Sequence, residues 1–151
     1  MHRTIISDTS CLILLTNIGE LDLLHELYGQ IITKIDIANE YGEKLPNWVE
    51  IKEVKDKYRQ RILEMQIDKG ESSAITLALE TSDCTLILDD YKARRIAEQL
   101  HLSFTGTIGV IIKAKLLGLI PSIKPLLDKI RQTNFRVSVD IELQALKEAN
   151  E

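Results

Sequence analysis

A parallel α/β sheet with helices on both faces is the fold class this sequence predicts, and two observations predict it. Short apolar, β-branched runs (TIIS, QIIT, TLIL and LSFT) alternate with segments of helical spacing, the pattern of βαβ units. Carboxylates also stand where two of these runs hand over to a helix: Asp8 after TIIS, and the doublet Asp89–Asp90 after TLIL. In a parallel sheet that junction is the carboxyl edge, where ligands bind.

Thr4–Ser7 reads as a buried first strand. Asp8, Thr9 and Ser10 are all competent N-caps, and CLILLTNIG follows as a short helix stopped at Gly19. Leu21, Leu24, Leu27 and Tyr28 keep helical spacing up to Gly29, and Gln30–Thr33 is a second strand. Thr33 is expected to cap a helix from Lys34 to Glu43, with Asp36 at the capping-box position. After the break at Pro46-Asn47, Trp48–Val54 alternates as a strand and Lys55–Met65 is a charged helix. Gly70 punctuates before an amphipathic helix, Glu71–Thr81. Thr85–Leu88 is a strand, Tyr91–Leu100 a helix and Leu102–Thr105 a strand, and Gly106-Thr107 opens a helix to Leu117. Two further helices are expected, from Pro121 to Thr133 and from a Ser138 cap through Ala149. A core over residues 3–120 with a helical extension over 121–151 makes one domain of 1–151.

Composition narrows the function. The 151 residues are 44% hydrophobic and 28% charged, ordinary globular values with room for a full core. No apolar run approaches the roughly 18 residues of a membrane span. The start, MHRTIIS, enters a strand directly, so no leader is expected, and a cytoplasmic location follows. Cys11 and Cys84 sit in apolar runs without metal-ligand spacing and are expected as buried thiols. The net charge of −4 argues against a protein that simply coats nucleic acid, but allows excess acid gathered in one site.

Each acid has a structural reading beside a functional one. Asp8 can cap its helix, though Thr9 and Ser10 could do so equally well. Glu40 lies on the same helical side as Ile37 and Tyr41, a burial that asks for a partner such as Lys34 or Lys44. Glu71 in a first turn complements the helix dipole, while Ser72, Ser73 and Ala74 let that helix end approach another element closely. One acid would cap the helix after TLIL; two repel unless a cation intervenes, and an Asp90–Arg94 pair is one solution. Taken jointly, a hard cation such as Mg²⁺ accounts for all of them.

IISDTSCLILL, IANEYG, GESSAITLALE, LILDDYKARRIA and TGTIGVIIKAKLLGLI together resemble the PIN domain family of metal-dependent ribonucleases, which includes the toxins of toxin–antitoxin pairs. The likeness runs through about residue 120 and is greatest to a short prokaryotic branch. It implies a three-layer α/β/α fold with a central parallel sheet of 4–5 short strands. It further implies a site of Asp8, Glu40, Glu71, Asp89 and Asp90. Of these, Asp8, Glu71 and Asp90 would hold Mg²⁺ or Mn²⁺, Asp89 would help, and Glu40 would orient or activate water. Hydroxide would then attack phosphorus in line, with a 3′ oxygen leaving. Glu71 departs from the family pattern, which has Asp there. Substrate contacts are expected from Ser10, Lys92, Arg94, Arg95, Gly106, Thr107 and Lys113, with Lys115 as a further cation and TGTIG as a phosphate seat. RNA as substrate, a small antitoxin and a second copy of the chain are the implied partners. A catalytically silent PIN-like module that binds RNA or protein is the alternative. A receiver or a haloacid-dehalogenase-like phosphatase fits poorly, because the doublet comes late and Ser10 stands where the phosphatase needs an acid.

Overall fold

The computed structural model describes residues 3–34 and 44–151. Five short strands, β1 (Thr4–Ser7), β2 (Ile31–Lys34), β3 (Val49–Lys52), β4 (Cys84–Ile87) and β5 (Ser103–Thr105), form one all-parallel sheet in the order β3-β2-β1-β4-β5. The eight described helices are α1 (Thr9–Asn17), α2 (Asp22–Tyr28), α3 (Lys57–Glu64), α4 (Lys69–Leu79), α5 (Tyr91–Gln99), α6 (Thr107–Leu116), α7 (Lys124–Arg131) and α8 (Val139–Glu148). With the sheet they make a three-layer α/β/α fold. The chain steps outward from β1 to β2 and β3, then returns to lay β4 on the other side of β1. The strand order therefore reverses between β1 and β4, the point where an open α/β sheet leaves a crevice at its carboxyl edge. Ser7 lies opposite Ile87, and the Asp8 amide donates to the Ile87 carbonyl at 3.2 Å, so both acidic strand ends meet at that crevice.

The central strands are buried because helices cover both faces, which is why TIIS and TLIL read as apolar runs. α4 is buried at Gly70 and from Ser72 to Ala78, with Glu71 half-buried between, and packs against β1, β2 and β4. Its small residues allow that closeness, and the hydroxyls of Ser73 and Thr76 are satisfied within the helix, donating to the Gly70 and Ser72 carbonyls at 2.9 and 2.8 Å. The apolar core is continuous from Ile5 to Ala149, so α7 and α8 share it. Cys11 and Cys84 are free and buried, as their settings indicate.

Several boundaries differ from the sequence reading, each for a local reason. Lys34 ends β2 instead of opening a helix, and 1% exposed it is among the largest buried side chains. The expected helix beyond it, with Asp36 and Glu40, lies outside the described residues. α4 begins ahead of Glu71 because Asp68 caps it: Asp68 Oδ1 accepts from the Glu71 amide at 2.7 Å, and Glu71 Oε1 from the Asp68 amide at 3.2 Å, a full capping box. α3 likewise starts late, after an Asp56 cap. α7 starts at Lys124, not Pro121, because the preceding residues are tied to the C-terminus. The Ile123 amide and the Ser122 hydroxyl both donate to the Glu151 carboxylate, the former at 2.7 Å.

Candidate functional site

At the end of β1, Asp8 is the residue that caps α1, Oδ1 accepting from the Cys11 amide at 3.2 Å. A cap is normally solvated, yet Asp8 is only 3% exposed. Burial above all, then the Asp89 carboxylate and, more weakly, Glu71, raise its pKa to about 8, against the pull of the Cys11 and Asp89 amides. Glu71 is raised to about 7, first by burial and then by the carboxylates of Asp68 and Asp90. The chain thus draws acids from β1, α4 and the β4 end into one electrostatic neighbourhood. At neutral pH Asp8 keeps most of its proton and Glu71 about half of its own, where ordinary carboxyls have long released theirs.

After β4 the doublet divides its work. Asp90 is exposed and caps α5, accepting from the Ala93 amide at 3.0 Å. No ion pair joins it to Arg94 among the described residues. Asp89 turns the other way, toward α6. One carboxylate oxygen accepts from the Thr107 amide at 2.8 Å and the other from the Thr107 hydroxyl. Gly106 makes this possible, since a Cβ there would come within 2.9 Å of Asp89 Oδ1. The TGTIG helix start, expected as a phosphate seat, spends its Thr107 amide on Asp89. Thr107 itself is fully buried. Cys11 lies beneath these groups, its thiol held neutral by burial and by Asp89.

Two clefts flank the acids. One, of about 400 Å³, has Asp8, Ser10, Asp68 and Glu71 in its wall. The other, of about 460 Å³, has Asp89, Gly106, Arg94 and Arg136. Phe135 lines both.

The expected cations separate. Arg94 lies beside Asp89, its guanidinium carbon 5.0 Å from the Phe104 ring centroid, and its Nε is enclosed without a hydrogen-bond partner. Lys92 and Arg95 are exposed on α5. Lys113 instead covers the Tyr28 ring at 4.9 Å and borders a different groove with Arg3, and Lys115 donates to the Ala149 carbonyl at 2.8 Å. Glu40 lies outside the described residues. Sequence reading missed Asp68 and the Asn134-Phe135-Arg136 segment. The available signal was an aromatic flanked by polar residues between two helices, in a chain with two phenylalanines.

The PIN-domain family model DUF3368 matches residues 4–151, nearly the whole chain. The chain belongs to the PIN domain family. No match was found among curated proteins or solved structures. Membership places this PIN domain in a superfamily of nucleases that generally use divalent metals, and the donor set suits that chemistry. A hard cation favours carboxylate oxygens, and it would offset the burial and the carboxylate repulsion that raise Asp8 and Glu71. Among the described residues, no three His, Cys, Asp or Glu side chains form a ready-made metal cage. Glu71 is turned to the Asp68 amide and Asp89 to Thr107. Among the described residues, no helix is long and apolar enough to cross a membrane.

Proposed function

We propose that this PIN domain is a Mg²⁺- or Mn²⁺-dependent endoribonuclease, hydrolysing RNA phosphodiesters as the toxin of a toxin–antitoxin pair in the cytoplasm. The observation that carries this reading is Asp8: a nearly buried carboxyl at the β1/β4 crevice, pushed up to about 8 by burial and by Asp89. A fold seldom keeps such a group for structure alone, because Thr9 or Ser10 could supply the cap.

Asp8 and Asp89 are the inner ligands in this proposal, with Glu71 and Asp90 outside them. The coupling of Asp89 to Asp8 favours it over Asp90, the member preferred from sequence. A bound cation supplies a lowered pKa for an attacking water and charge neutralisation at the scissile phosphate. The chain's own groups do the rest. Asp8 would release its proton to solvent water as the site takes up positive charge, and its carboxylate would then help hold the cation. Thr107 fixes both oxygens of Asp89, so its direction is set before substrate arrives. Ser10 borders the cleft on the Asp8 side, and Arg94, with Lys92 and Arg95 on the same helix, offers cations to the RNA backbone. An antitoxin segment would cover the acidic cleft, and a second copy of the chain is the expected assembly.

The test is an RNase assay in Mg²⁺ and in chelator, comparing wild type with Asp8→Asn, Asp89→Asn and Asp90→Asn. Mg²⁺-dependent cleavage lost in Asp8→Asn supports the reading; equal degradation by all four proteins overturns it. A second reading, a silent PIN-like module that binds RNA or protein, is favoured by one observation: Glu71 is engaged in its capping box. Metal-independent RNA binding without turnover is its signature. For the toxin role, a small open reading frame beside the gene and slowed growth on induction are expected.

A further inference from the structure

Thr133 to Val137, a bend at Thr133-Asn134 followed by irregular chain, connects α7 and α8. Its side chains alternate: Thr133, Phe135 and Val137 are half-buried, while Asn134 and Arg136 are exposed. Its first end is tied to α7. Phe135 N donates to Thr133 Oγ1 at 3.1 Å, and Thr133 Oγ1 donates to Ile130 O at 2.6 Å. Arg131, ahead of the connector, grips Glu142 beyond it through both carboxylate oxygens, at 2.8 and 2.7 Å. Phe135 packs one side against the core and lines both the Asp8 cleft and the Asp89 cleft, on the ridge between them.

The two clefts differ in charge. Among the described residues, Asp8, Asp68 and Glu71 line the first without a Lys or Arg, whereas Arg94 and Arg136 enter the second beside Asp89. Asp140 and Glu148 also line the second, but each has a local role: Asp140 in the first turn of α8, Glu148 accepting from Gln144 Nε2 at 3.1 Å. Arg94 Nε has none. An aromatic ridge with cations to one side and acids below suits a strand whose bases are unpaired, because a base can stack only if it is splayed out.

We infer that the α7–α8 connector is the substrate-reading element, Phe135 stacking on one base of a single-stranded RNA while Arg94 and Arg136 hold the phosphate beside it. This rests on the acid edge being an RNA site.

The experiment uses the full chain carrying Asp8→Asn, so that RNA survives, with a short oligouridylate bearing one 2-aminopurine at successive positions. Quenching at one position is expected, together with a five- to hundredfold weaker binding in Phe135→Leu that Phe135→Trp restores. Arg136→Gln should lower the salt slope of binding by about 0.7. Uniform fluorescence along the strand, or Phe135→Leu binding as tightly as its parent with unchanged melting, overturns the inference. Should Phe135→Leu misfold, the 2-aminopurine scan with the native side chain still decides. Wild-type turnover is read separately. Position-specific quenching without turnover supports the connector's role while the nuclease reading falls; turnover with uniform fluorescence does the reverse.

Discussion

The ends of β1 and β4 begin from the same local grammar and finish differently. Each is an apolar strand, an aspartate and a helix. At β1 a single residue does two jobs, since Asp8 caps α1 and also lies buried in the acid site. At β4 the jobs are divided: Asp90 caps α5 in solvent, and Asp89 is turned to Thr107 and toward Asp8. The difference accounts for the doublet. An N-cap oxygen must face the first-turn amides of its own helix, and where that direction diverges from the crevice a second carboxylate is needed.

The largest test of this division compares the two members of the doublet. Asp8→Asn and Asp89→Asn should each lower Mg²⁺-dependent cleavage by about a hundredfold or more, whereas Asp90→Ser, which keeps a cap, should cost less than about tenfold. Equal losses at Asp89 and Asp90 would break the comparison.

Gly106→Ala probes the same arrangement indirectly. Its Cβ would displace Asp89 Oδ1, so a loss of about tenfold in cleavage is expected with far-UV circular dichroism unchanged. Unaltered kinetics would mean that the direction of Asp89 does not matter.

Stability against pH sharpens the contrast further. Asp8 and Glu71 titrate near 8 and 7 in the folded chain against ordinary values of 3.8 and 4.5. The folded form therefore binds more protons than the unfolded form between those limits. Their destabilising effect is absent below about pH 4, grows as the pH rises, and is complete above about pH 8. Melting of the metal-free protein should fall across that window and flatten in Asp8→Asn. Added Mg²⁺ should restore roughly 5 °C at pH 8 and much less at pH 5. A pH-independent melting curve would sink this account of the acid edge.

The smallest effect is the cap alone. Asp90→Ala should destabilise by about 1 kcal/mol in denaturant unfolding, and Asp90→Ser by a few tenths at most.

Much of the fold was legible because its signals are local. β-branched runs, the Ser138 cap and the glycine stops act within a few residues, and the five parallel strands follow them. Local competition produced the misplacements: Asp68 outranked Gly70 as a helix start by satisfying two amides at once, and Glu151 held Ser122 and Ile123 out of α7. Residue types and spacing also marked Asp8, Glu40, Glu71, Asp89 and Asp90 as one set of acids, of which Glu40 lies outside the described residues. Which member of the doublet meets Asp8 was a matter for tertiary structure. Adjacent residues point in different directions, and the partner that orients Asp89 is Thr107, on another helix. Asp8 and Asp89 are far apart in the chain and become neighbours only because β4 is laid beside β1. The ridge at Phe135 was likewise decided by where α7 and α8 pack, a long-range outcome that no local spacing encodes.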